Sequence, residues 1–182
     1  MKTVKYCILS LFCVSLLLVS CEDNAKDEEW GISLLYMPQS VLGDGGQTAN
    51  LSIGVHTSQQ SDTSIVVGMY RSGLAPIEAV TANLVIASDT LASAIKLADA
   101  GDDTHKAFKN AKLLPSDYYE LPDNISLSDG QRENHVFIKL NKNKLFSDSH
   151  TGPFVLPVKL DKPTRYQLNE ERSLTFFIFS KK

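Results

Sequence analysis

Several segments of the chain alternate apolar and polar side chains with a period of two, which places one class on each face of a strand. In "ANLSIGVH", Leu51, Ile53 and Val55 share one side, with Asn50, Ser52 and His56 opposite. "TSIVVGMY" aligns Ile65, Val67 and Met69, and "VTANLVIA" aligns Val80, Ala82, Leu84 and Ile86. Further on, "HVFIKL" groups Val136, Ile138 and Leu140, and "FVLPVKL" groups Phe154, Leu156, Val158 and Leu160. "SLTFFIF" is apolar on both faces near its end, so Phe177 or Phe179 is expected to pack beyond the main core. Strands with one wet face belong to antiparallel sheets, because parallel sheets are usually covered on both sides.

The signals between these runs are those of turns: Gly43-Asp44-Gly45-Gly46, Ser128-Asp129-Gly130 and Asp161-Lys162-Pro163. Pro157 lacks the N–H that a ladder needs, which predicts an edge strand or a bulge. One segment has a helical period instead. In "SDTLASAIKLADAG", Leu91, Ala94, Ile95 and Ala98 form a single apolar stripe, with Ser88 or Asp89 as its cap and Gly101 as its stop. Inserted between strands, such a helix would cover one open end of a sandwich. The pattern as a whole predicts an all-β fold: an immunoglobulin-like antiparallel β-sandwich of about seven strands with a small helical insertion.

The first residues follow other rules. Lys2 and Lys5 precede an apolar run from Ile8 to Val19, which is too short for a membrane-spanning helix of roughly 20 residues and fits a secretory signal. Leu18-Val19-Ser20-Cys21 resembles the bacterial lipobox, in which the cysteine sulfur carries a diacylglyceryl group. Several acyl chains on one residue anchor firmly where a single chain would not. Cys7 and Cys13 would leave with the signal, so Cys21 remains alone and the thiol is reserved for lipid. The acidic run that follows admits two readings. It is a solvated tether, or Lys26, Asp27, Glu28 and Glu29 are part of a tag similar to those that send Bacteroidetes lipoproteins to the outer face of the outer membrane. The expected organisation is a signal at 1–20, an acidic tether at 21–29 and a sandwich domain at 30–182.

Composition changes this picture little. The net charge of −3 becomes −5 once Lys2 and Lys5 are removed, and no basic cluster invites nucleic acid. A hydrophobic content of 43% supports a real core.

Within residues 113–160, Leu114-Pro115, Tyr118 or Tyr119, Ile125, Asp129-Gly130 and Leu156-Pro157 form a pattern, with "YRSG" at 70–73 as an earlier strand end. This pattern resembles that of a Bacteroidetes family of domains of unknown function. It extends roughly from Trp30 to Ser180, and turn and strand residues carry most of it. The family is found as the N-terminal β-sandwich domain of surface lipoproteins in glycan-utilisation systems, among them endo-N-acetylglucosaminidase-like and lectin-like ones. The resemblance implies an outer-membrane, surface-displayed setting and brings no catalytic residues. This chain departs from the family's usual arrangement, since no second domain is expected before Lys182.

Candidate chemistry is sparse. His56, His105, His135 and His150 show no metal-ligand spacing, and Asp99, Asp102 and Asp103 lack the pattern of a calcium loop. They read as solvated helix-end carboxylates. There is no Gly-x-Ser-x-Gly elbow, and no paired carboxylates for glycoside hydrolysis can be located. Neither enzymatic activity nor a metal or cofactor is expected. Trp30, Tyr36, Tyr70, Tyr118, Tyr119 and Tyr166 are core residues or a sugar-stacking platform. Tyr118 and Tyr119 are the favoured glycan contacts, one ring expected in the core and the other in solvent, as for adjacent strand residues. The expected function is a non-catalytic, lipid-anchored binding or accessory module engaging a glycan or a partner surface lipoprotein. The alternative is a structural subunit of a surface assembly that exchanges strands at a sandwich edge.

Cys21→Ala should abolish metabolic labelling with fatty acid and release the protein from membranes. Retention of a processed but unlabelled protein in the membrane fraction would contradict the lipobox assignment.

Overall fold

Alternation with period two becomes two facing sheets in the computed structural model, which describes residues 32–41, 51–57, 64–73 and 76–181. For 51–57 and 180–181 only the backbone is described. Cys21, the run 26–29, Trp30 and the Gly43–Gly46 turn therefore lie outside the described residues, as do the side chains of Leu51, Ile53, Val55 and His56.

The first sheet contains β1 (Leu34–Tyr36), β3 (Ser64–Arg71), β6 (Tyr119–Glu120), β8 (Glu133–Leu140) and β10 (Gln167–Leu168), in the order β10-β1-β3-β8-β6. The second contains β2 (Leu51–Thr57), β4 (Val80–Ile86), β7 (Asn124–Leu127), β9 (Phe154–Asp161) and β11 (Leu174–Lys181), in the order β2-β11-β9-β4-β7. The short β5 (Lys112–Leu113) also joins β9. Among the described strands, the seven with four or more residues are those long enough to show alternation; β1, β5, β6 and β10 have two or three residues each.

Two layers were expected and two sheets are present, but the expected antiparallel, immunoglobulin-like, all-β description needs correction. β1 pairs with β10, β2 with β11 and β5 with β9 in parallel, and helices form part of the architecture, so the fold is a mixed, sandwich-like one. A period of two shows that a residue run is a strand; it carries no information on the direction of the neighbour.

The long helix, Ser88–Asp99, has the predicted buried stripe of Leu91, Ala94 and Ala98. It does not close an open end of the sandwich. Instead the stripe lies with Phe108, Val155, Leu174, Phe176 and Ile178 in a second apolar cluster, on the outer face of β9 and β11. This reverses the expectation for the phenylalanines. Phe177 and Phe179 belong to the core between the sheets, while Phe176 and Ile178 meet the helix. The helix begins after Ala87 with no side-chain cap, so neither Ser88 nor Asp89 plays that part. Its end is as expected. Gly101 has φ of 88°, Gly101 N donates to Ala98 O, and Asp102 N donates to Leu97 O, the paired bonds of a Schellman stop.

Pro157 is also in an unexpected place, since β9 is an interior strand with β11 on one side and β4 and β5 on the other. β4 pairs with β9 only as far as Ile86 opposite Val158, and β5 resumes the pairing at Val155 and Phe154. The carbonyl of Pro157 accepts from Ala87 N at 3.0 Å, where β4 turns into the helix. The missing donor thus falls in the gap between two strand partners, where no ladder bond is due.

Arg71 is the one fully buried cation among the described residues. It lies on the inward face of β3, and its Nη1 donates to Glu78 O at 3.3 Å and to the Tyr166 hydroxyl at 3.1 Å. Its Nη2 donates to Gln131 O at 3.1 Å, and the guanidinium sits 5.2 Å from the Tyr166 ring centre. The Tyr166 hydroxyl donates onward to Pro76 O at 2.6 Å. One side chain therefore ties together three loops that lie far apart in sequence.

Phe176→Ala should cost about 3–5 kcal/mol in denaturant unfolding, because it opens a cavity between helix and sheet. Phe137→Ala, at a position 46% exposed, should stay within about 1 kcal/mol of the parent. Arg71→Met should cost about 2 kcal/mol or more by leaving buried carbonyls without a donor.

Candidate functional site

Tyr118 and Tyr119 sit where the chain changes from a single 3-10 turn, Ser116–Tyr118, to the edge strand β6. They are not two consecutive strand residues, and the expected split between a buried and an exposed ring does not occur. Both are half-buried, and both pack against the main core. Tyr118 has a structural partner at each end. Its ring centre is 6.0 Å from that of Phe154, and its hydroxyl donates to Asp148 Oδ2 at 2.9 Å. That bond, followed by burial, raises its pKa above the usual tyrosine value. Burial alone raises that of Tyr119.

Tyr119 has a different setting: it lines a surface cleft of about 490 Å³ at the end of the first sheet. Pairing of Tyr119 with Leu140 and of Glu120 with Lys139 places β6 against the last residues of β8 and forms one wall. Asp117 stands on the turn before it, and Asn141, Lys142 and Asn143 close the far side. That side is held by the short helix Lys142–Ser147, whose Leu145 is buried in the main core. Asn141 N donates to Tyr118 O at 2.7 Å, and Asn141 Oδ1 accepts from Lys144 N at 3.2 Å, so both walls are fixed to each other. Across the mouth, Lys144 Nζ donates to Asp117 Oδ2 at 2.7 Å. This bond holds the Asp117 carboxyl below its ordinary pKa.

The cleft therefore presents one half-buried aromatic ring, two amide side chains and charges of both signs, which suits a small polar ligand with an apolar face. Among the described residues no group of histidine, cysteine and carboxylate side chains could hold a metal ion. Asp102 caps the turn that follows it, accepting from Thr104 N at 2.8 Å and Thr104 Oγ1 at 2.6 Å. Of the other aromatic candidates, Tyr36 and Tyr70 pack against each other with tilted rings 5.2 Å apart on the outer face of the first sheet, and Tyr166 is committed to Arg71. Val66 and Phe137, directly opposite each other on β3 and β8, form an exposed apolar pair that was not among the sequence candidates. The signal was present, because alternation already put Phe137 on the outward face with His135 and Lys139.

The fold and the cleft together define a sandwich-like module with a polar surface cleft at one end of a sheet. A family model described as a "-like, N-terminal domain" matches residues 30–167. The chain belongs to this family of N-terminal domains. No curated protein matches it. Among solved structures, the chain is similar to a Bacteroides ovatus ATCC 8483 protein described as a candidate carbohydrate binding protein. The TM-score is 0.55 at 14% identity, over 81% of this chain and 37% of that one. A two-domain protein of unknown function from Bacteroides fragilis NCTC 9343 gives 0.55 at 15% identity, over 83% and 46%. The chain thus spans less than half the length of these two structures, and at such identities they speak for the fold alone.

Because the Asp117 pKa is depressed by its partner, the Asp117–Lys144 bond is present above the normal aspartate range and is lost as pH falls through the lowered value. Carboxyl NMR titration should find Asp117 below about 3.9, the usual aspartate value. Lys144→Met should return it to that value. An unchanged titration in Lys144→Met would remove lysine as the cause.

Proposed function

We propose that this chain is the non-catalytic, surface-displayed binding domain of a glycan-utilisation lipoprotein, and that the Tyr119 cleft is its sugar site. The observation that carries this reading is the cleft itself. It combines a fixed aromatic ring with amide and charged hydrogen-bonding groups at an open, rigidly held sheet end, the usual recipe for a polyol with an apolar ring face. Family membership and the description of the Bacteroides ovatus protein as a candidate carbohydrate binding protein support the same class. In this proposal Cys21 supplies the lipid anchor, and the acidic run 26–29 directs the domain to the outer face of the outer membrane. Glycans, or partner lipoproteins that present them, are then the ligands within reach. Residues 30–182 act as the binding domain.

The two tyrosines have separate parts. Tyr119 contacts the ligand, and Tyr118 supports it from behind through Phe154 and Asp148.

Glycan-array screening of the protein followed by calorimetry on the ligands found should show sugar binding that Tyr119→Ala weakens about tenfold or more, the loss of roughly 1.4 kcal/mol expected for a stacking ring. Tyr118→Phe should keep the affinity and lower stability by about 1 kcal/mol. Sugar binding that survives Tyr119→Ala unchanged would place the site elsewhere.

A further inference from the structure

The two sheets are covered unequally. The helix Ser88–Asp99 packs on the outer face of the second sheet, against Phe176 and Ile178. On the outer face of the first sheet, Val66 is 43% exposed and Phe137 46%. The register of β3 with β8 builds this face in rows: Tyr70 opposite Glu133, Gly68 opposite His135, Val66 opposite Phe137 and Ser64 opposite Lys139. Every second residue of a strand shares a face, so all of these point outward. Tyr36 extends the first row beside Tyr70. The Pro38 ring fills the place of the side chain that Gly68 lacks, since a Cβ there would lie 3.2 Å from Pro38 Cδ. The middle of the face is therefore continuous and largely apolar.

The rings do not make a sugar platform. Tyr36 and Tyr70 are inclined at 41° and His135 and Phe137 at 87°, so they share no plane on which a row of sugars could lie. Tilted rings interdigitate with other side chains instead, as at protein interfaces, where aromatic residues are enriched.

The charges point to which protein. Glu133 and Lys139 are exposed at opposite ends of the outward row of β8, each about 10 Å from Val136 at its centre. Half a turn about an axis crossing the strands at Val136 brings Glu133 of one protomer over Lys139 of its partner, and Phe137 over His135, at both ends of the pair. Half a turn about an axis along the strands would set Glu133 against Glu133 and Lys139 against Lys139. The face thus complements itself in the antiparallel arrangement only. Stacked sheets cross at about 30°, which moves these end residues sideways by roughly 5 Å, within reach of a lysine side chain. Glu120, the neighbour of Lys139 on β6, leaves the ammonium between two carboxylates, one from each protomer. Arg172 is within electrostatic reach of Tyr36, two strands away from Glu133.

We infer that two copies of this chain associate through the outer faces of β3 and β8, strands antiparallel, with Val66 and Phe137 at the centre and Glu133 facing Lys139 at both ends. This does not rest on the sugar reading of the Tyr119 cleft. The contact is about 27 Å long and three strands, or roughly 14 Å, wide, which is small for a stable interface and makes the association weak.

Sedimentation equilibrium of the whole protein in density-matched detergent, from about 1 to 300 μM, should show monomer passing to dimer with Kd on the order of 10–100 μM. Phe137→Ala should raise that Kd about tenfold or more. Lys139→Glu should do the same by setting carboxylates against one another, and adding Glu133→Lys to it should return Kd to within about threefold of the parent. A protein that stays monomeric throughout would overturn the inference, and shifts of the Phe137 ring signals on adding xylo- or manno-oligosaccharides would then give the face to a glycan. A dimer indifferent to Phe137→Ala would overturn it by placing the contact elsewhere. A dimer weakened by Lys139→Glu that the second change fails to restore would overturn the antiparallel arrangement.

Discussion

The structure depends on β9, an interior strand that is buried on both faces from Phe154 to Val158. β9 is hydrogen-bonded on both edges and buried on both sides: Phe154, Leu156, Val158 and Leu160 face the first sheet, while Val155 faces the long helix. A strand in that position is the most demanding one in a sandwich, because every polar group of its backbone must find a partner. Pro157 is compatible with it only because β4 leaves and β5 arrives around it. The helical insertion is therefore more than a decoration between strands. Its departure frees the edge of β9 at the residue that cannot donate, and its apolar stripe then covers the face that the departure would expose.

The candidate site is built out from the beginning of this strand. Phe154 supports Tyr118, Tyr118 holds Asn141 through its carbonyl, and Asn141 starts the short helix whose Leu145 returns to the core. The cleft is thus lined by segments whose other faces are buried, an arrangement that keeps it in one shape. Arg71 works at the other end of the first sheet, where β3 pairs with the start of β8, about 23 Å away along the eight residues of that strand. It gathers loops by their carbonyls and meets no carboxylate among its contacts. The end held by Arg71 is fixed by a buried charge, and the end carrying the cleft by buried rings, so the chemistry of the two ends is separate.

Much of the secondary structure was legible from local pattern. Val67, Met69, Ile138 and Leu156 are buried where alternation placed them, and the stripe of Leu91, Ala94 and Ala98 is the face that packs. Gly101 stops its helix because the required backbone conformation has positive φ, a property of the residue type itself. What was not legible depends on distant partners. The direction of β2 beside β11, the interior place of Pro157 and the reversal of Phe176 with Phe177 are decided by neighbours far along the chain. Tyr118 and Tyr119 were expected on opposite faces, which presupposes a strand through both, and a 3-10 turn ends between them. Arg71 showed no sign of burial, because nothing beside it in sequence marks the two carbonyls and the tyrosine hydroxyl that converge on it from elsewhere.

Hydrogen exchange under native conditions tests the central claim, that β9 holds the fold together from both faces. The amides of Val155, Leu156, Val158 and Leu160 should exchange only through global unfolding, at the full stability of the domain, on the order of 5–15 kcal/mol for proteins of this kind. Those of β6 and β10, short pieces at the edges of the first sheet, should open at clearly lower cost. Exchange of the β9 amides through a smaller opening than that of β3 and β8 would contradict the account.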